Sequence, residues 1–155
     1  MDKLKIVMVG PEAASEVLEL VAALLRELGE EGEETGAMDV AQLTEAWRTD
    51  RLHHCAFLAY DENLDLMGVA TVSTAFALYA QGRYGIINEM YVSPDHRSLG
   101  VGTRLVEAIK EHGKEQGWRR IDVTAPEAAR WERTRKFYED KGFSFTGPKL
   151  KILLD

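Results

Sequence analysis

Residues 89–105 read EMYVSPDHRSLGVGTRL, and the interpretation of the whole chain depends on this stretch. An apolar strand pattern passes through Ser93-Pro94 into a loop with Gly100 and Gly102, after which a helical pattern begins. The first backbone N–H groups of a helix have no partner inside it and lie at the positive end of its dipole. Glycines let such a backbone approach a ligand closely. The stretch therefore predicts a cradle for a diphosphate at the start of this helix.

The spacing of the glycines narrows the kind of ligand. A G-x-G pair alone is weak evidence, because glycines are common in turns. Here Arg97 precedes the pair and gives R-x-x-G-x-G. A dinucleotide-binding pattern, G-x-G-x-x-G, would need a third glycine at the position that Leu105 occupies. The spacing therefore argues against a dinucleotide-binding fold.

Apolar periodicity on both sides of this stretch predicts a mixture of strands and helices. Hairpins dominate the middle of the chain, and a β-α-β unit appears only after Ile86, which favours an α+β domain with a mostly antiparallel mixed sheet and about four helices. We expect residues 1–155 to form a single domain. Asp39 and Gln42, three residues apart, resemble a capping box at the start of a short helix. The predicted elements are a strand at Leu4–Met8, helices at Glu12–Leu28 and after Asp39, strands at Cys55–Tyr60, Leu66–Leu78 and Ile86–Val92, a helix at Gly102–Gln116, a strand at Arg119–Val123, a helix at Pro126–Lys141, and strands at Phe143–Phe145 and Leu150–Leu154.

Composition limits the classes of partner. The 155 residues include 45% hydrophobic residues, enough for a core without disulfides. With 19 basic and 26 acidic residues the net charge is −7, which disfavours nucleic acid and slightly favours cationic partners. No apolar run approaches the roughly 18 residues of a membrane span, and no signal peptide is apparent. We therefore expect a cytoplasmic protein without a nucleic-acid or membrane partner.

Cysteine and histidine usage argues against a metal site. Cys55 is the only cysteine, so an internal disulfide or a structural zinc site is excluded. His53 and His54 have no second set of ligands nearby in the sequence, and we interpret both as surface residues. The sequence therefore predicts no bound metal.

Three motifs in a fixed order carry a family resemblance. Tyr91-Val92-x-Pro94 is followed by R-x-x-G-x-G from Arg97 and, farther on, by a Phe-Tyr-x-x-x-Gly-Phe motif at 137–143. Together they resemble the GNAT superfamily of acyl-CoA-dependent N-acyltransferases, in detail from Ile86 to Phe143. The resemblance implies the GNAT fold, acetyl-CoA as cosubstrate, and a primary amine of a small molecule or peptide as acceptor.

The resemblance also implies which residues bind the cosubstrate. The backbone N–H groups of the motif loop bind the diphosphate, and Arg97 occupies the motif's Gln/Arg position. The preceding strand carries a bulge whose main chain pairs with the pantetheine arm, and it maps to Met90, Tyr91 and Val92. We expect the side chains of Met90 and Val92 only to pack in the core. Trp131 stands where the family often has Asn, and it either stacks on the cosubstrate or packs. The loop residues are Ser98, Leu99, Gly100, Val101, Gly102 and Thr103.

The catalytic roles follow from the same resemblance. Tyr138 matches the tyrosine that donates a proton to the departing thiolate. An amine must lose a proton before it attacks, and Glu89, or a water molecule held by Asn88, is the candidate acceptor. Strict alternation would place Ile87 and Glu89 on one face of the strand. No residue is expected to form a covalent intermediate, Cys55 included.

The sequence leaves several assignments open. A non-catalytic acyl-CoA-binding module of the same fold is the alternative to an enzyme. By analogy with the family, the first two helices and the loop from Ala80 to Gly85 line the acceptor side. A basic stretch could bind a phosphate of the cosubstrate, but its composition favours a solvated helix face; it consists of Arg130, Arg133, Arg135 and Lys136. The terminal strands, with Leu150, Ile152 and Leu154, would suit a homodimer.

Overall fold

The computed structural model describes residues 4–28, 39–124, 132–147 and 149–154. Within these ranges one sheet has five strands in the spatial order β1-β2-β3-β4-β5, and four α-helices flank it. The first four strands pair antiparallel, and β5 joins β4 in parallel after a helical crossover, which confirms the predicted α+β fold. The elements are β1 Lys5–Val9, α1 Ala14–Leu28, α2 Val40–Thr49, β2 His54–Tyr60, β3 Leu66–Ala77, β4 Gly82–Val92, α3 Val101–Gln116, β5 Ile121–Val123 and α4 Glu132–Asp140.

Local chemistry explains where several of these elements begin and end. A 3-10 turn at Pro11–Ala13 precedes α1, so that helix begins two residues later than predicted. The Asp39 carboxylate accepts a hydrogen bond from the Gln42 N–H at 3.0 Å, which confirms the predicted cap of α2. Gly117, with φ 77°, ends α3 in the left-handed conformation that glycine adopts readily.

The predicted start of β4 and the two predicted terminal strands were wrong. β4 begins at Gly82 rather than Ile86, because β3 and β4 form a tight hairpin that pairs Ala77 with Gly82. The predicted loop from Ala80 to Gly85 is therefore largely strand. The segments 143–147 and 149–154 contain no strand, since apolar alternation yields a strand only where a neighbouring strand completes the hydrogen bonds.

A β-bulge interrupts the pairing of β3 with β4. Thr71 lies opposite Glu89 and Val72 lies opposite Ile87, so Asn88 is an extra residue on β4. The pairing with β5 covers only Gly85–Ile87. From Asn88 onward β4 is therefore paired on its β3 side alone within the described residues.

The core lies on both faces of the sheet. On one face α3 buries Leu105 and Ile109 against Val72. On the other face α1 buries Val17 against Leu58, together with the side chain of Val69 from β3. None of the helices in the described ranges is long and apolar enough to cross a membrane.

Candidate active site

The loop before α3 has the backbone conformation that an anion cradle needs. Ser98 has φ 68° and Gly100 has φ 84°, so two left-handed residues flank Leu99. The Arg104 N–H donates to the Gly100 carbonyl at 3.1 Å as the first turn of α3 closes. Residues 101–103 lie between Gly100 and Arg104, and their N–H groups have no acceptor within the helix. They therefore lie at the positive end of a 16-residue helix.

The side chains of the same loop do different work. Val101 is buried in the core against α3's face of the sheet, whereas Leu99 is exposed. A Cβ at Gly102 would lie 3.1 Å from Phe137 Cζ of α4. Gly102 is therefore needed for the close approach of α4 as well as for an open backbone.

Arg133 also lies at this loop. Its Nη2 donates to the Ser98 Oγ at 3.3 Å, so a guanidinium from α4 stands beside the candidate anion site. The sequence interpretation placed Arg133 in a solvated basic stretch and missed this contact, because the partners lie 35 positions apart in the sequence. Trp131 lies outside the described residues.

The Arg97 side chain binds protein groups. Its Nη2 lies 2.6 Å from the Glu27 Oε2 of α1, and its Nε donates to the Val92 carbonyl at 2.8 Å. The guanidinium also lies 5.3 Å from the centre of the Tyr91 ring. Burial, and secondarily the Glu27 carboxylate, raises the pKa of Tyr91, so its phenol stays neutral. Arg97 thus ties the end of α1 to the end of β4 beside the loop.

The bulge lies two residues before its predicted position. The sequence assigned it to Met90, Tyr91 and Val92, but these residues pair regularly with β3, and the extra residue is Asn88. Residue type does not reveal a bulge, because polar residues such as Asn88 and Glu89 also occur in regular edge strands. The main chain of residues 90–92 is still available to a ligand, since these residues have no β5 partner.

The bulge also changes which side chains share a face. Ile87 packs into the α3 face of the core, whereas Glu89 lies opposite Thr71 on the face that carries α1. The expectation that Ile87 and Glu89 share a face was therefore wrong, because one extra residue reverses the alternation. Glu89 is held there by the buried Thr71, whose hydroxyl donates to the Glu89 Oε1 and accepts from the Glu89 N–H.

Tyr138 and Asn88 line one groove. Its volume is about 1380 Å3, and it runs beside β5 between α3 and α4. Tyr138 is 6% exposed. Its ring meets the rings of Phe137 and Phe143 edge-on, with ring centres 5.3 and 5.5 Å apart. Burial raises the pKa of Tyr138 to about 12, so its phenol keeps its proton at neutral pH.

The remaining reactive groups are placed as follows. Burial raises the pKa of Cys55 to about 11, so the thiol is protonated at neutral pH and suits no nucleophilic role. His53 is exposed as predicted, but His54 is half-buried on β2, and its interpretation as a surface residue was wrong. No group of three metal-ligating side chains occurs in the ranges that the structure describes.

Comparisons with known proteins identify the family and the fold of this chain. Residues 18–143 match the acetyltransferase (GNAT) family. An uncharacterized N-acetyltransferase, YhfO of Bacillus subtilis (strain 168), is 28% identical over 104 residues, which are 66% of this chain and 68% of that protein. An aminoglycoside acetyltransferase, meta-AAC0020 from an uncultured soil metagenomic sample, has a TM-score of 0.77 at 18% identity, covering 99% of this chain and 97% of its own. The ribosomal-protein-alanine N-acetyltransferase of Brucella melitensis biovar Abortus 2308 has a TM-score of 0.77 at 21% identity. The match covers 97% of this chain and 99% of that protein's chain.

Proposed function

The chain belongs to the acetyltransferase (GNAT) family and is therefore an acyltransferase, and from this premise we propose that it moves an acetyl group from acetyl-CoA to a primary amine. The observation that carries the proposal is the loop before α3, where left-handed Ser98 and Gly100 precede unpaired N–H groups beside the open edge of β4. A non-catalytic acyl-CoA-binding module would share the loop, but it would have no need of a neutral, buried Tyr138 in the groove beside β5.

The residues present fit acetyl-CoA. The N–H groups of residues 98–103 would hold its diphosphate, and Arg133 would add a positive charge beside Ser98. Residues 90–92 would offer their unpaired main-chain edge to the pantetheine arm, as an added strand pairs with a sheet. Arg97 would act indirectly in this arrangement, by fixing the chain that enters the loop.

Each catalytic group has a separate task. Acetyl-CoA supplies an acyl group that is already activated as a thioester. Glu89, or a water molecule held by Asn88, accepts the proton that the acceptor's ammonium group must lose. Tyr138 donates its phenolic proton to the departing sulfur. No residue of this chain forms a covalent bond with the acyl group, in keeping with the protonated thiol of Cys55.

The acceptor is proposed as a cationic primary amine of a small molecule or a peptide. The net charge of −7 favours a cation near the protein. Structures of the same fold include enzymes named for aminoglycosides and for the alanine of a ribosomal protein, which are a small polyamine and a peptide amine. Both kinds therefore belong in the test panel.

The proposal is tested by measuring free thiol release from acetyl-CoA with a panel of aminoglycosides, polyamines and alanine- or lysine-containing peptides. We expect turnover with at least one class, and direct binding of CoA by titration calorimetry. Gly100→Val should weaken CoA binding about 10-fold or more, because φ 84° is strained for a β-branched residue. Leu99→Ala is the matched control, since its exposed side chain adjoins the same backbone. CoA binding without turnover across the panel would favour the non-catalytic module instead.

A homodimer is a further part of the proposal. The outer edge of β5 has no strand partner within the described residues, and Leu150, Ile152 and Leu154 are 88, 84 and 89% exposed. Pairing of these apolar side chains with a second copy would remove them from water. Sedimentation velocity of the full chain and of a Leu150→Lys, Ile152→Lys variant tests this, and a monomer at all concentrations contradicts it.

A further inference from the structure

A row of polar side chains crosses the sheet on the face that carries α1 and α2. It begins at the bulge, where the Asn88 Nδ2 donates to the Ser73 Oγ of β3 at 2.7 Å and Glu89 bonds to Thr71. Ser73 lies directly opposite His54 of β2 in the strand register. Directly opposite side chains in a sheet have Cβ atoms about 5 Å apart. The row therefore leads from the bulge on β4 to the imidazole on β2.

The Trp47 side chain orients the imidazole of His54 without forming a hydrogen bond to its ring nitrogens. The Trp47 ring of α2 meets it edge-on, with ring centres 5.0 Å apart, and the Trp47 Nε1 donates to the His54 carbonyl at 2.9 Å. Among the residues that the structure describes, none forms a hydrogen bond with the ring nitrogens of His54. An indole that fixes the ring while leaving its nitrogens unbonded suits a group that gains and loses a proton.

The far side of His54 opens to water. Together with Gly10, Glu12 and Arg51, it lines a small open cavity of about 250 Å3 between the end of β1 and the start of β2. This cavity is separate from the groove that contains Asn88 and Tyr138. A proton that reaches His54 therefore has an exit to solvent that does not pass through the groove.

Burial keeps the His54 imidazole neutral, and the carboxylates around it favour its protonated form. Burial lowers the pKa of His54, and the Glu89 and Asp50 carboxylates oppose that shift. Arg51 and Glu12, which line the same cavity, add one charge of each sign. A neutral imidazole at pH 7 can accept a proton, and the nearby carboxylates stabilise the imidazolium that results.

We propose that His54 receives the proton that the acceptor amine releases at the bulge, with Glu89 and the hydroxyls of β3 lying between them. This inference rests on the proposed acetyl transfer. One N–H bond of the ammonium breaks and leaves its electron pair on nitrogen, the proton passes by way of Glu89 to the imidazole, and the imidazolium releases it into the small cavity. His54 does not touch the amine in this scheme, so it is a positioning residue that acts through Glu89.

The first test is the pH dependence of turnover in His54→Gln, with His53→Gln as the matched control. His53 is the neighbouring, exposed histidine and stands in none of the proposed contacts. We expect His54→Gln to lower kcat by about 100-fold at pH 7 and to remove the acidic limb of the pH profile, with KM for acetyl-CoA unchanged. Imidazole added to His54→Ala should restore part of kcat. A His54→Gln profile that overlays the wild type overturns the proposal.

The second test does not require activity and separates this inference from the proposed function. The His54 ring is titrated by NMR in the wild type and in Glu89→Gln, with Glu45→Gln as a remote control. We expect the pKa of His54 to fall in Glu89→Gln alone, because that carboxylate raises it. An unchanged pKa shows that the two groups are not linked and overturns the proposal even in an active enzyme. A wild type that binds no CoA and turns over no amine instead defeats the proposed function, whatever the titration shows.

Discussion

One face of β4 packs tightly into the apolar core, whereas the other carries polar and ionisable side chains. On the α3 face Gly85 and Ile87 pack against Trp118 and the apolar core, and the contacts are tight enough to exclude a single methyl group. On the α1 face Glu89 bonds to the Thr71 hydroxyl, and the row of polar side chains continues to β2. The bulge at Asn88 separates the two, because one extra residue turns the polar part of the strand away from the core. The fold thereby places an ionisable group beside the open edge of β4 without interrupting the core.

The largest effect on stability is expected where the α3 face is tightest. A Cβ at Gly85 would lie 2.2 Å from the Trp118 Cζ3, and the indole cannot withdraw because it also lies against Gly113. Gly85→Ala should therefore lower the free energy of unfolding by about 3 kcal/mol and the melting temperature by roughly 10 °C. Urea and thermal denaturation measure both.

The matched control for that change is the same substitution in a Trp118→Leu background. The smaller side chain leaves room for the added methyl group, so Gly85→Ala should then cost less than about 1 kcal/mol. An equal cost in both backgrounds would show that the indole is not the cause.

The next effect separates catalysis from packing in the groove. Tyr138→Phe removes the phenolic oxygen but keeps the edge-on contacts with Phe137 and Phe143. We expect kcat to fall about 100-fold, with little change in melting temperature or in KM for acetyl-CoA. Because the pKa of Tyr138 is about 12, no basic limb below about pH 11 should arise from its ionisation. A kcat within 2-fold of the wild type would remove Tyr138 from the proton-donor role.

The smallest effect concerns the tie between α1 and the loop. The Glu27 and Arg97 side chains are 34 and 43% exposed, so their ion pair contributes about 0.5 kcal/mol or less to stability. Glu27→Gln should raise KM for acetyl-CoA about 3-fold, because the chain entering the loop loses one restraint, and should leave kcat unchanged. Glu45→Gln, which breaks the exposed pair with Arg48, is the control. An equal change in both variants would indicate a general effect of charge.

Much of the fold could be predicted from local patterns. The alternation in β2 and β3, the apolar stripe of α3 and the Asp39 cap are properties of neighbouring residues, and each was confirmed. The terminal strands failed because alternation reports a suitable surface but not a partner for it. The start of β4 at Gly82 failed similarly, since hairpin pairing extends a strand beyond its apolar part.

In the candidate site too, short motifs could be predicted from the sequence, whereas contacts between distant residues could not. The R-x-x-G-x-G loop and Tyr138 belong to short motifs, so sequence alone brings them to attention. The contacts of Arg97 with Glu27 join residues 70 positions apart, and no local pattern records them. His54 is a stronger case, because an adjacent pair of histidines gives no sign that one is exposed and the other is held beneath an indole.

The sequence by itself determined the order of the elements from β1 to α4, the glycine loop before α3 and the family to which the chain is similar, since each depends on residues near one another in the chain. Only the tertiary structure decided that Asn88 is the extra residue of β4, that Glu89 turns away from Ile87, and that His54 ends a polar row. Strand register and packing set these relations across long sequence separations, and they depend on which surfaces meet rather than on any one residue's preference.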